Sequence, residues 1–493
     1  MSLKEKTLTG LGWNTASSLV TFGMQTLQLI ILTRLFAPEV FGIMGLVLIV
    51  SKFSDIFLDM GISNAIIQRK DIDVKDLSSL FYLNLITGFI LAGIIFGGSG
   101  LIGTLLKEPK LTNYLEWISI IYFITPFGQQ YRAIFQKRME FNIIERINII
   151  AIVISVPLTI YLAYNGYNVY SLIYGQIANA FIRTLLLIYE GRKVYTVMWY
   201  YKYSRVKRFL AFGIYQAGES ILNYINTNID GISIGRFVGP AALGYYNAAF
   251  NIIIIPSMRI NPILTKVFFP AFSHIQDQDE KLKSVFFKLL NVLNFINMPI
   301  FVGLFILAKP FVLTVFGEKW LFSATILQIL CGVGLLRSFG NPVGSLVYAK
   351  GKAKRIFTFN LYKIVIQVPA IVIGAYLGGV LGVAYTFLLL QVLFAAFSYQ
   401  YLIKNLLGPS LKQYLNTFTA PFIWSVGMGV PVFLLQKYLT GHSEGMILLL
   451  GVLTGIGVYG VFFVFSKNSV AVELRTLLYK SLVKMNLFKA QKV

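Results

Sequence analysis

The sequence predicts an all-α integral membrane protein with about fourteen transmembrane helices. Three observations lead there. Of the 493 residues, 56% are hydrophobic and only 13% are charged, a balance typical of polytopic membrane chains. Apolar runs of roughly 20 residues, long enough to cross a hydrocarbon core, follow one another with short loops between them. The basic residues collect in alternate loops, as the positive-inside rule requires.

Taken in order, the spans run approximately over 10–33, 41–66, 77–100, 114–135, 142–164, 169–190, 206–233, 244–271, 284–308, 321–348, 355–377, 379–403, 414–437 and 444–466. With the N-terminus in the cytoplasm, the inner loops hold Arg69, Lys70, Lys137, Arg138, Arg192, Lys193, Lys202, Arg205, Lys350 and Arg355 among others. The outer loops hold few, including Arg34, Lys107, Lys110, Arg236 and Lys309. That asymmetry of about four to one places both termini inside. The first apolar run lacks a small-residue cleavage site and reads as a retained span.

A net charge of +23 could suit nucleic acid, but its scatter through short loops argues against such a partner. The one cysteine, Cys331, lies in an apolar stretch, so no intrachain disulfide forms. His274 and His442 fall in loops with no metal-binding cluster, and no metal or cofactor is expected.

The chain is organised around a polar stripe on the seventh span. Gln216, Glu219, Asn223, Thr227 and Asp230 recur every three or four positions and therefore share one helix face. A carboxylate at mid-depth costs roughly 2.5 to 3.5 kcal/mol in lipid, so this face must meet protein or water. A shift of about 202 positions lays Arg236, Pro240 and Gly244 on Arg34, Pro38 and Gly42, repeating an R-x-x-x-P-x-x-x-G hairpin. The same shift matches the stripe to Asn14, Ser17, Ser18, Thr21, Gln25 and Gln28 on the first span. Interhelical hydrogen bonding would explain any one of these residues; the pair of stripes points to a shared water-filled cavity.

The repeat continues. Val156-Pro157, Ala163-Tyr164 and Gly166 reappear as Val368-Pro369, Ala375-Tyr376 and Gly378, so the fifth span matches the eleventh. A six-helix unit has an even number of spans, so the two copies run parallel, related by an axis along the membrane normal. The expected organisation is an N-lobe at 1–190, a basic aromatic linker at 191–205, a C-lobe at 206–410, two further helices at 411–466 and a basic amphipathic tail at 467–493. In that tail Leu474, Leu477, Leu478, Leu482, Met485 and Phe488 form an apolar stripe suited to an anionic membrane surface.

Several charges sit deep in spans: Lys52, Arg132, Arg183, Arg259, Lys266, Arg337 and Lys363, with Asp55, Asp59, Glu116, Glu219 and Asp230. Such groups are functional candidates by default, facing a cavity or a partner. Arg259, Arg337, Arg183 and Lys363 suggest a cationic cavity, because guanidinium groups hold phosphate through two hydrogen bonds and keep their charge. Asp55 and Asp59, one turn apart, share a face of the second span, and Asp59 with Arg259 forms a candidate gate latch. Glu219 or Asp230 could couple transport to an ion. Pro126, Pro157, Pro256, Pro262, Pro270, Pro299, Pro342 and Pro369 supply kinks that a rocking bundle can use.

The run IGRFVGPAALGYYNAAFNI at 234–252, Pro256 and Pro262, then KVFFPAFSHIQDQDEKL at 266–282, resembles the polysaccharide-transporter branch of the MOP exporter superfamily. Within it, the sequence is most similar to the Wzx-type flippases that include the teichuronic-acid and colanic-acid exporters. TRLFAPEVFGIMGL at 33–46 fits the same pattern. The resemblance implies two six-helix lobes in a V around a central cavity, as in MATE transporters, with the two C-terminal helices associated with a lipid tail. It also implies an undecaprenyl-diphosphate-linked oligosaccharide as substrate, flipped from the inner to the outer leaflet of the bacterial cytoplasmic membrane by alternating access, with membrane lipids and a polysaccharide polymerase as partners and H+ or Na+ as a coupling ion. The competing readings are a MATE-like cation or drug antiporter, which would favour an acidic cavity, and a membrane enzyme, which would need a catalytic loop or buried histidine.

Overall fold

The computed structural model describes residues 3–69, 71–259, 261, 268, 272–338, 340–466, 471–472 and 475–476. Among them all regular structure is helical. The chain divides into two compact units, Met1–Asn247 and Ala248–Val493.

In the N-terminal unit α1 (Leu3–Leu35) leads into α2 (Pro38–Asp59), whose first turn is set by Pro38, a residue preorganised for helix entry. Met60 and Gly61 are both left-handed and break what the sequence reads as one span, so the short α3 (Ile62–Gln68) turns away from α2. The long α4 (Val74–Leu105) starts at a reciprocal capping box: Asp73 accepts from the Asp76 backbone at 2.7 Å and Asp76 accepts from the Asp73 backbone at 3.4 Å. Pro126 divides the expected fourth span into α5 (Leu111–Ile124) and α6 (Pro126–Lys137). Then come α7 (Phe141–Tyr164) and α8 (Asn168–Gly191).

The linker after α8 is strapped across the start of α4. Backbone N–H groups of Met198 and Lys202 donate to the Ser78 and Ser79 hydroxyls at 2.9 and 3.2 Å. Arg205 closes the strap, donating to Asp73 at 2.7 Å and to Asp76 at 2.9 Å. These bonds, led by the Asp76 backbone N–H, hold the Asp73 carboxyl below its ordinary range, and the same pairing raises Arg205.

The striped helix α9 (Tyr203–Phe237) follows and belongs to this same unit. Val206 and Phe209 are buried with Ile62, Ala65, Ile66, Leu80 and Ala133, and the Tyr224 hydroxyl donates to the Ile49 carbonyl on α2 at 2.6 Å. The compact unit therefore extends past the linker, and division by packing differs from division by sequence repeat. The two copies of the R-x-x-x-P-x-x-x-G hairpin meet reciprocally where α2 passes the start of α10 (Pro240–Arg259). A Cβ at Gly42 would fall on the Pro240 carbonyl oxygen, and one at Gly244 on that of Pro38. Only glycine permits this approach of backbone to backbone.

In the C-terminal unit α11 (Asp279–Ile306) packs against α13 (Leu321–Arg337) and α17 (Leu411–Tyr438), which in turn meets α18 (Glu444–Phe465). The short α12 (Ala308–Val315) joins α11 to α13, and α14 (Gly340–Ala349) follows. Buried amides tie the bundle: Asn294 donates to the Thr417 carbonyl at 3.0 Å, Asn297 to Asn261 at 3.0 Å, and the Tyr459 hydroxyl to the Phe295 carbonyl at 2.9 Å. The stretch α15 (Ala353–Ser398) is two antiparallel arms joined at Gly379, whose φ of 58° and ψ of −143° suit glycine alone. Gly374 and Gly382 let the arms touch, since a Cβ at Gly382 would meet the Gly374 carbonyl. A π turn at Tyr399–Ile403 leads to α16 (Lys404–Leu407).

Ten stretches among the described residues are long and apolar enough to cross a membrane. The other expected spans differ for identifiable reasons. Pro126 splits the fourth, the polar stripe lowers the hydropathy of the seventh, the eighth runs into 262–267, and the eleventh and twelfth join through Gly379. Pro262, Lys266, Pro270 and all but a few residues of the expected amphipathic tail lie outside the described residues.

Candidate functional site

Each unit carries its own group of polar and charged residues on its long helices. In the N-terminal unit almost every long helix contributes. Arg183 on α8 lies within electrostatic reach of Glu145 on α7, Asp55 on α2 and the like-charged Arg132 on α6. Asp55 also feels Lys52, one turn earlier. The Tyr122 hydroxyl on α5 lies 2.6 Å from the Ser51 carbonyl and 3.2 Å from Asp55, so its single proton goes chiefly to the carbonyl. Asp59 accepts from Gln129 at 2.9 Å and from the Ser63 backbone at 3.3 Å, and its Oδ1 also takes the Ser63 hydroxyl.

The α1 stripe joins this group through Asn14, which donates to Glu145 at 3.4 Å; Asn148 donates to the other Glu145 oxygen at 3.2 Å. Further along α1, Gln25 is exposed, Ser18, Thr21 and Gln28 are half-buried, and Ser17 is buried. On α9, Glu219, Asn223 and Thr227 are exposed on one face, whereas Asp230 is only 6% exposed. Its two oxygens accept from the Gly231 backbone at 2.9 Å and the Tyr246 hydroxyl at 2.7 Å, so Asp230 joins α9 to α10. Gln216 and Arg259 have side chains outside the described residues, which leaves the Asp59–Arg259 latch without a described geometry.

The C-terminal unit holds its cations differently. Arg337 ends α13 with its guanidinium carbon 5.8 Å from the ring centres of both Phe250 and Phe387, which are stacked on each other at 6.3 Å. The Lys363 ammonium lies 5.2 Å from the Phe394 ring centre and 5.9 Å from that of Phe359. Lys363 feels Arg337 as a like charge, and among the described residues it has no carboxylate partner. Cation–π contact of this kind contributes ~0.5–1 kcal/mol at exposed sites and ~2 when desolvated. Such contact holds the Lys363 ammonium in place without cancelling its charge.

A separate apolar groove of about 770 Å³ lies in the same unit among α11, α13, α15 and α17. Phe301, Phe305, Leu335, Leu388, Val430 and Phe433 contribute to its walls. Among the described residues no group of three or more His, Cys, Asp or Glu could hold a metal.

The structure thus brings Arg183 together with Asp55, and Arg337 together with Lys363, but the two pairs belong to different units. Glu145, Tyr122 and Gln129 were missed by sequence reasoning. Glu145 sits near a span end and reads as a loop charge, while Tyr122 and Gln129 are ordinary interfacial types by composition. The break at Pro126, followed by Gln129, Gln130 and Arg132 on an amphipathic turn, was the available signal.

Comparison with known proteins agrees with this architecture. The family described as "Polysaccharide biosynthesis protein" matches residues 31–325. The lipopolysaccharide biosynthesis protein WzxC of Escherichia coli is 39% identical over 442 residues, 90% of each chain. The teichuronic acid biosynthesis protein TuaB of Bacillus subtilis is 29% identical over 432 residues, 88% of this chain and 89% of TuaB. Among solved structures, the lipid II flippase MurJ in an inward closed conformation aligns with a TM-score of 0.74 at 16% identity, covering 95% of this chain and all of its own. An inward-facing MATE-family transporter of the MOP superfamily aligns at 0.61 and 18% identity, covering 78% of this chain and 94% of its own. The family match spans more than half of the chain, and a relative well above 30% identity runs along nine-tenths of it, so the chain belongs to the polysaccharide biosynthesis protein family.

Proposed function

We propose that this membrane transporter flips an undecaprenyl-diphosphate-linked oligosaccharide from the inner to the outer leaflet of the bacterial cytoplasmic membrane. The similarity to WzxC over nine-tenths of the chain supports this reading. Arg337 and Lys363, held among aromatic rings, carry the substrate chemistry. Two neighbouring cations on apolar supports suit a diphosphate, which offers several charged acceptor oxygens. A drug-cation antiporter would gain nothing from that pair.

In this mechanism the head group travels along a hydrated polar path supplied by two lobes, 1–190 and 206–410, joined by the 191–205 linker and alternating between inward and outward openings. The polyprenyl tail stays in apolar surroundings, for which the groove beside α17 is our assignment. The reciprocal Gly42 and Gly244 contact then acts as a seal that parts on outward opening. Of the two candidate coupling carboxylates for H+ or Na+ we assign Glu219, because Asp230 already accepts from Tyr246 and a backbone N–H. Both termini lie in the cytoplasm, and a polysaccharide polymerase receives the product on the outer side. No covalent chemistry is involved.

The deciding experiment reconstitutes the full chain and follows translocation of a lipid-diphosphate-linked oligosaccharide. Translocation by the wild type, lost in Arg337→Ala with protein still folded, is the expected outcome. Extrusion of organic cations against a proton or sodium gradient, with no lipid moved, would replace this reading by the antiporter.

A further inference from the structure

At the C-terminal end of α8 lies a cleft of about 590 Å³ walled by Leu185, Ile188, Tyr189, Arg192 and Lys193. Its charges do not balance. Glu190 is shared by Arg146 at 2.9 Å and Lys193 at 2.8 Å, so one carboxylate faces two cations. Arg192, the first residue past the helix end, adds a third and interacts with the Tyr131 hydroxyl, a neutral partner. The cluster of three cations and one carboxylate keeps a net charge of about two.

The helix leading into the cleft has the complementary character. Phe181, Leu185 and Tyr189, spaced four apart and so on one face, are 50%, 49% and 64% exposed. An apolar face of this kind on a membrane-spanning helix abuts acyl chains. Tyr189 stands at the transition, its ring under the Lys193 ammonium at 4.3 Å. An apolar strip ending in a tyrosine and then in a cationic cleft has the order of groups found along a phospholipid, from acyl chain through interface to phosphate.

We infer that this cleft is a head-group site for an anionic diacyl phospholipid, with the phosphodiester on Arg192 and Lys193 and an acyl chain along Leu185 and Phe181. The site is separate from Arg337 and Lys363, which belong to the other unit, and it requires no transport. Its bound lipid would anchor the beginning of the linker, where Trp199 is 95% exposed and available to the same interface.

The test is native mass spectrometry of the full purified chain released from nanodiscs of phosphatidylglycerol mixed with phosphatidylcholine, comparing wild type with Arg192→Gln/Lys193→Gln and with the charge-preserving Arg192→Lys/Lys193→Arg. The expected result is selective retention of phosphatidylglycerol, roughly thirtyfold weaker in the glutamine variant, given the usual contribution of two basic residues at a membrane surface. The charge-preserving variant retains the lipid, which shows that the effect is not a folding defect. Equal retention of both lipids by the wild type, or undiminished phosphatidylglycerol retention in the glutamine variant, overturns the proposal. So does displacement of the lipid by millimolar inorganic phosphate, which would mark the cleft as a site for the free anion.

Discussion

In the N-terminal unit the deep arginine Arg183 lies within electrostatic reach of the like-charged Arg132 and of the carboxylates Glu145 and Asp55, whereas in the C-terminal unit Arg337 and Lys363 lie against phenylalanine rings. The difference lies in what surrounds each cation. Near Arg183 a phosphate would meet Glu145 and Asp55 as well as Arg132. A cation over a ring keeps its charge, because the quadrupole attracts without neutralising.

The largest effect should come from Gly42→Val, which touches neither group of cations. Its side chain would meet the Pro240 carbonyl, so flipping should fall to background while binding of a lipid diphosphate persists. Loss of both together, in a folded protein, would mean that the seal and the head-group site are not separable. Next is Arg337→Ala/Lys363→Ala. Losing a charge-assisted hydrogen bond costs ~1.5–3 kcal/mol, so each residue should account for roughly tenfold to a hundredfold in flipping. Full activity in that double variant would remove the distinction between the units.

A smaller effect, at most about fivefold, is expected for Arg183→Ala, because it removes one cation from the neighbourhood of the half-buried Glu145 and the exposed Asp55. Adding Glu145→Gln should restore part of the activity; failure of that rescue would make Arg183 a direct substrate ligand. Phe387→Leu removes one ring from Arg337 and should reduce flipping about two- to fivefold, in line with a cation–π contribution of ~0.5–1 kcal/mol.

The smallest effect concerns the strap. The Asp73 carboxyl is held below its ordinary value of 3.8, so its ion pair with Arg205 is formed above that value and lost only as pH falls below it. Hydrogen exchange over residues 196–205 should therefore be as protected at pH 5 as at pH 7, with the protection lost only in stronger acid. Loss already at pH 5 would contradict the pairing.

The repeated hairpin shows how far a single chain of letters reaches. Arg34, Pro38 and Gly42 match Arg236, Pro240 and Gly244 by spacing alone, yet nothing in that spacing says that each glycine lies on the other copy's proline carbonyl. The stripe on α9 was equally visible, but one of its members left the exposed face. Asp230 is drawn into a bond with Tyr246, sixteen residues on, a contact that helical periodicity cannot express. Arg337 and Lys363 were legible as deep charges; their pairing was not, because their neighbours come from α10 and both arms of α15.

Hydropathy by itself determined a helical membrane protein, since the bilayer imposes length and apolarity on each span separately, and the runs at 33–46, 234–252 and 266–282 carried the resemblance to its family. Tertiary structure decided which side chains stand beside each deep charge. That outcome depends on distances of a few ångströms between side chains far apart in the chain, where Coulomb energy in a low-dielectric interior changes steeply.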